Sequence, residues 1–294
     1  MGIYRRLIPQ EGAVVPFIIT VSVTAGQTFT LPLVAFGGVQ PDILVDWGDG
    51  NESEVTSTTD TDRIHTYAST GVYSISIIGN MPGFKVNNNT SIRNLITGIV
   101  DFGRVGLKTL DFFGCTNITS IPASNTMEVG YSGLSNIISF SGFMRGTGIT
   151  SIPSDIFQSS PIATTFSDIF SFTSITSIPS GLFDNNTQAT SFGSAFSGCT
   201  LLNTYPLSLF NNNTAVLSFA STFRNCLALT QPLQFTNNTS VTIFDNVYNM
   251  STTSNAMSGN APTLWLRTPT PSGTAAFRNC TGLANFAAIP SNFK

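Results

Sequence analysis

The residues able to do chemistry are few and scattered. His65 is the single histidine of a 294-residue chain and stands in Arg63-Ile64-His65-Thr66-Tyr67. A catalytic role would need Asp46 or Asp49 as its partner together with a nucleophile, and no nucleophile-elbow pattern supplies one. A structural hydrogen bond is the reading the sequence favours for it. Asp42, Asp46, Asp49, Glu52 and Glu54 crowd one stretch, and hard oxygen ligands of this kind suit Ca²⁺. Their spacing does not match an EF-hand loop, so Asp46 and Asp49 stand as weak calcium candidates against a solvated loop. Cys115, Cys199, Cys226 and Cys280 each follow a Phe pair or its equivalent. They read as a buried column; a Cys199–Cys226 disulfide is sterically open, whereas zinc lacks a Cys-x-x-Cys spacing and a nearby histidine. In the rest of the chain Asp155, Asp168, Asp184 and Asp245 occur singly, so no recurring carboxylate pair supports glycosidase chemistry. No catalytic set and no cofactor is expected.

Composition narrows the classes further. Hydrophobic residues make up 41% of the chain, with 24 Phe, enough for a continuous core. Charged residues make up only 9%, against about 25% in an average domain. With a net charge of −3 and no Lys/Arg cluster, nucleic-acid binding has no electrostatic footing. The run Val14 to Val23 is interrupted by Pro16 and Thr20. It reads as a strand and not as a signal core or membrane span, so a chain made in the cytosol without membrane insertion is expected.

The elements that must position these residues fall into three stretches. Residues 1–12 read as an arm. Residues 13–83 alternate apolar and polar, with strands expected at Val14 to Val23, Phe29 to Phe36, Ile43 to Trp47, Arg63 to Tyr67 and Val72 to Ile78. From 84 to 294 a phrase recurs: Phe-x-x-x-Phe, a gap to Cys, Ile/Thr-rich residues ending in Pro, then Leu-Phe and Asn-Asn-Thr. Pro153, Pro179, Pro206 and Pro232 are 26 or 27 residues apart. A period of this length means stacked supersecondary units. The segment before each proline, from Ile118–Ile121 to Leu227–Thr230, is the expected strand of a parallel sheet, and Phe-x-x-x-Phe a short helix or 3₁₀ turn. Phe166, Phe192 and Phe219 then fall in one column and Phe170, Phe196 and Phe223 in another; core packing is the first reading, an aromatic platform the second.

Two resemblances cover nearly the whole chain. Val45-Asp46-Trp47-Gly48-Asp49-Gly50, followed by His65-Thr66-Tyr67 and Gly71-Val72-Tyr73, resembles the polycystic-kidney-disease (PKD) domain, which implies an immunoglobulin-like β-sandwich over 13–83. Trp47, Gly48, Asp49, Gly50, His65 and Tyr67 are then its structural motif. Ile175-Thr176-Ser177-Ile178-Pro179 and Leu201-Leu202-Asn203-Thr204-Tyr205-Pro206 resemble BspA-like surface leucine-rich repeats, which implies a mainly β chain ending in a leucine-rich-repeat solenoid over 84–294. The pairing implies a non-enzymatic bacteriophage virion surface protein, a head decoration, fibre or tail component. Its arm and sandwich would contact other virion proteins, its repeats would adhere to host-surface glycan or protein, and many copies would sit on each particle. A bacterial cell-surface adhesin without its export signal is the alternative, and a polysaccharide depolymerase a third reading.

Overall fold

The computed structural model describes residues 15–87, 89–122 and 133–294, so the expected arm at 1–12 lies outside the described residues. Among the described residues nine strands form in chain order: β1 (Phe17–Val23), β2 (Thr28–Thr30), β3 (Asp42–Asp46), β4 (Glu52–Val55), β5 (Ile64–Thr66), β6 (Gly71–Asn80), β7 (Gly83–Lys85), β8 (Ile96–Phe102) and β9 (Thr109–Asp111). The principal sheet is antiparallel, in the order β4-β3-β6-β1-β8. Period-2 alternation drives it: Phe17, Ile19, Val21 and Val23 bury one face of β1, and Ile19 pairs with Ile75 of β6, whose Ile77 is also buried. The outermost strand, β8, comes from beyond residue 83 and pairs with β1.

The chain is mainly β, with 21% strand and 4% helix, but its sheets are small, open and uncurled. This corrects both implied folds. An immunoglobulin-like sandwich needs a second sheet facing the first. The residues available for one form only the two-stranded ribbon β2–β5. Phe29 and Leu31 are buried, but Pro32 removes an amide donor at the end of β2, and Gly37 and Gly38 turn the chain at φ 57° and 81°. The PKD resemblance is therefore confined to its short motifs.

The leucine-rich-repeat solenoid, and with it the BspA-like assignment, is likewise overturned. The expected strands before each proline contribute a single parallel bridge, Ser177 to Thr204. Pairing runs instead through the residue before the leading Phe of a repeat, or before Leu110 and Gly273 at the two ends: Thr109, Ser139, Thr165, Ser191, Ser218, Ile243 and Ser272 bridge in sequence, all parallel. These bridges do not extend into strands because, three residues on, the backbone turns left-handed at Asp168, Ser194, Ser221, Asn246 and Ala275, with φ between 53° and 57°. The expected helix is absent for the same reason. Alternate amides instead cross to the next repeat, as in Phe166 N–H to Ser191 O (2.9 Å), Asp168 N–H to Gly193 O (2.8 Å) and Phe170 N–H to Ala195 O (2.9 Å). The backbone is thus paired through stacked turns.

One core joins the sheet to the repeats. Phe84 lies 5.2 Å from Phe17 and 5.5 Å from Phe112, and Phe102 lies 6.0 Å from Phe143 (ring centroids). At the far end, Asn292 and Phe293 fold back onto residues 273–277. Phe277 N–H donates to Phe293 O at 2.8 Å, and Phe293 is buried against Gly273, where any Cβ would collide with its ring.

Candidate functional site

The residues singled out by type meet at the β3–β4 turn. Gly48 must be glycine: its φ is +80°, and a Cβ would lie 2.6 Å from Ser74 O. That turn brings Asp49 Oδ2 to 2.8 Å from His65 Nε2 on β5. His65 stacks on Trp47 at 4.9 Å and meets Tyr67 edge-on at 4.6 Å. Trp47 and Tyr67 are fully buried, and the Tyr67 hydroxyl donates to Trp47 O at 3.1 Å. Burial raises the Asp49 pKa, but hydrogen bonds from His65 and Asn51 outweigh it and hold the carboxyl below its usual range. Burial and the Asp49 charge push the Tyr67 hydroxyl far up.

The calcium candidates are engaged locally. Asp46 Oδ1 accepts from Gly48 N–H at 2.8 Å and Asp49 Oδ1 from Asn51 N–H at 3.1 Å. Among the described residues no group of three or more His, Cys, Asp or Glu could hold a metal ion. What this arrangement does is tie the turn after β3 to β5.

The repeat columns lie in the core. Phe166 stacks on Phe192 at 5.2 Å and Phe192 on Phe219 at 5.9 Å; Phe170 stacks on Phe196 at 5.9 Å and Phe196 on Phe223 at 5.6 Å, and all six rings are buried. The four cysteines are free and buried. The thiols of Cys199, Cys226 and Cys280 donate to Phe170 O, Phe196 O and Tyr248 O at 3.1, 3.1 and 3.0 Å. Burial pushes the Cys115 and Cys280 thiols up to about 12, which suppresses thiolate chemistry.

Two features escape a reading by residue type. The first is a buried asparagine column. The Nδ2 of Asn213 donates to Phe183 O (3.0 Å) and Asn186 O (2.9 Å), and that of Asn238 to Phe210 O (3.0 Å) and Asn213 O (3.1 Å). The recurring Asn-Asn-Thr is its signal in the sequence. The second is an outward ridge. Thr164, Thr190 and Thr242 donate their hydroxyls to the carbonyls of Ile138, Thr164 and Leu217 in the preceding repeat, at 3.3, 3.1 and 3.3 Å. Beside them, Ser167 Oγ lies 3.1 Å from Thr165 Oγ1 and 3.0 Å from Ser191 Oγ. Each threonine of the ridge has its proton committed inward, so its oxygen faces solvent as an acceptor. Near the end of the stack, a cavity of about 680 Å³ opens between residues 234–242 and 262–271.

No family model matches this chain, and no curated protein matches it. Among solved structures, a crystal structure of a TLR13–ssRNA13 complex is similar at 14% identity over 60% of this chain and 38% of that one, with a TM-score of 0.19. That likeness is too slight to carry fold or function.

Proposed function

We propose that this chain is a non-enzymatic adhesion protein of a bacteriophage virion surface, whose repeats hold host-surface glycan or protein through uncharged hydrogen bonds. The observation that carries the adhesion reading is the ridge of Thr164, Thr190 and Thr242, with its protons committed to the preceding repeat. Fixed acceptors on a stacked frame, with the exposed Leu217 at the same position between Thr190 and Thr242, complement a ligand that offers hydroxyl donors beside an apolar face. Because the frame is already ordered, contact costs little side-chain entropy. Each such contact exchanges with water at small net gain, so single-site affinity is low, and many copies on one particle supply avidity.

Low charge and stacked repeats support the virion placement. Electron microscopy of phage particles carrying this gene, labelled with antibody to the full chain, tests it. Label on the particle surface agrees with the proposal; label confined to the bacterial envelope would replace it with a bacterial surface protein. Adhesion is tested separately, by whether the purified chain displayed on beads retains host cells.

A further inference from the structure

The cavity between residues 234–242 and 262–271 differs in kind from the ridge. Its rim is rich in hydroxyls, among them Thr239, Ser240, Thr242, Thr268 and Thr270, while Pro269, Pro271 and Leu266 supply apolar surface. Leu266 is 70% exposed. Concave sites that pair apolar wall with a few convergent polar groups are where small ligands bind, and a sugar ring offers the matching pair, an apolar face and a hydroxyl edge.

One residue sets the cavity apart in charge. Arg267 is the only charged side chain lining it. Its guanidinium is held in place, with Nη1 donating to Asn238 O at 2.8 Å, Nη2 to Phe235 O at 2.6 Å, and the Phe244 ring 5.1 Å away. Those bonds use two of the five N–H donors of a guanidinium. No carboxylate among the described residues pairs with it. Burial lowers its pKa, the mark of a desolvated cation without a counter-ion. A half-buried, immobile, unpaired cation beside hydroxyls and prolines is suited to a ligand that brings its own negative charge.

We infer that this cavity is a binding site for an acidic saccharide unit, a single sugar carrying a carboxylate, read through Arg267 and the surrounding hydroxyls. The inference rests on the glycan-binding reading above and adds to it the class of sugar and the place. A single charged contact leaves the binding of one copy only modestly salt-dependent.

The test is calorimetric titration of the full chain with glucuronate, glucose and acetate. Glucuronate is expected to bind about tenfold tighter than either glucose or acetate, the scale of one partly screened ion pair added to the sugar contacts. Ser240→Trp, which fills the exposed mouth without touching the asparagine column, should abolish glucuronate binding. Arg267→Asn, which restores the side chain used at this place in earlier repeats, should erase the preference for glucuronate over glucose. Should Arg267→Asn not fold, Ser240→Trp alone decides. Equal binding of glucuronate and glucose, acetate as tight as glucuronate, no binding at all, or binding that survives Ser240→Trp would each overturn the inference. Bead-displayed protein that retains host cells while failing these titrations would remove the cavity site and leave the adhesion reading standing. Glucuronate binding without cell retention would do the reverse.

Discussion

Arg267 donates to Asn238 O at 2.8 Å and so continues in arginine a column that asparagine builds. Asn238 makes the equivalent bond to Asn213 O at 3.1 Å, and Asn213 to Asn186 O at 2.9 Å. Each side chain in this column links the turn of one repeat to the next, adding a donor from the following repeat to carbonyls such as Phe183 O and Phe210 O that already accept an amide within their own turn. The column stands in for a backbone ladder, and stability should depend on it.

Asn213→Ala should therefore cost about 1–3 kcal/mol, since two buried carbonyls each lose one of two donors and keep only the backbone N–H of Asn186 or Ala189. Urea denaturation of the variant measures it. An unchanged midpoint would mean that water reaches those carbonyls.

Phe192 is buried between Phe166 and Phe219, with Phe183 at 4.7 Å and Phe210 at 4.6 Å. Phe192→Ala should cost about 3–5 kcal/mol, the loss of a large buried ring plus the cavity it leaves. A thermal midpoint equal to that of the unaltered chain would contradict this packing.

Asn292 and Phe293 cover the repeat at residues 273–277. Phe293→Ala should speed amide hydrogen exchange at Ala275 and Phe277, whose amides donate to Asn292 O and Phe293 O, more than at Phe192 in the interior. Uniform change along the repeats would show that the cap acts on global stability alone.

Asp49 carries a pH signature. Its carboxyl is held below the ordinary value of 3.8, where burial is outweighed by the His65 and Asn51 hydrogen bonds. A lowered folded pKa means that the stability it contributes is complete above the unfolded value and is lost as pH falls through the folded one. The stability gap between the unaltered chain and Asp49→Asn should accordingly be full at neutral pH and narrow below the ordinary carboxylate range. A gap that widens in acid would reverse the assignment.

Much of the core was legible in the residues. The shared phase of Phe166, Phe192 and Phe219 carries the stacking, because one ring per period leaves few other arrangements, and the alternation in Phe17 to Val23 carries β1. Other parts were not legible, for physical reasons. Glu52–Val55 shows no apolar alternation, since only Val55 is buried; it is a strand because the Gly48 turn lays it against β3. The prolines drew attention to the wrong segment for pairing, because left-handed φ at polar residues such as Ser194 and Ser221 leaves no compositional mark as plain as a glycine. Trp47, Asp49, His65 and Tyr67 encode a local tie between turn and strand, which does not require a second sheet. That is why the motif could be present without the sandwich. The cavity depends on Arg267 reaching across to Asn238, a contact between repeats whose sequences have diverged.

Adhesion here rests on weak, mostly uncharged contacts repeated from copy to copy, so the decisive comparison is between one copy and many. Surface plasmon resonance can follow the monomeric chain and a streptavidin-displayed tetramer over immobilised host-surface polysaccharide at low and high salt. The prediction is weak monomer binding that changes little with salt, and tetramer binding stronger by roughly 10²-fold or more through effective concentration. A monomer as tight as the tetramer, or monomer binding that collapses as salt rises, would contradict it.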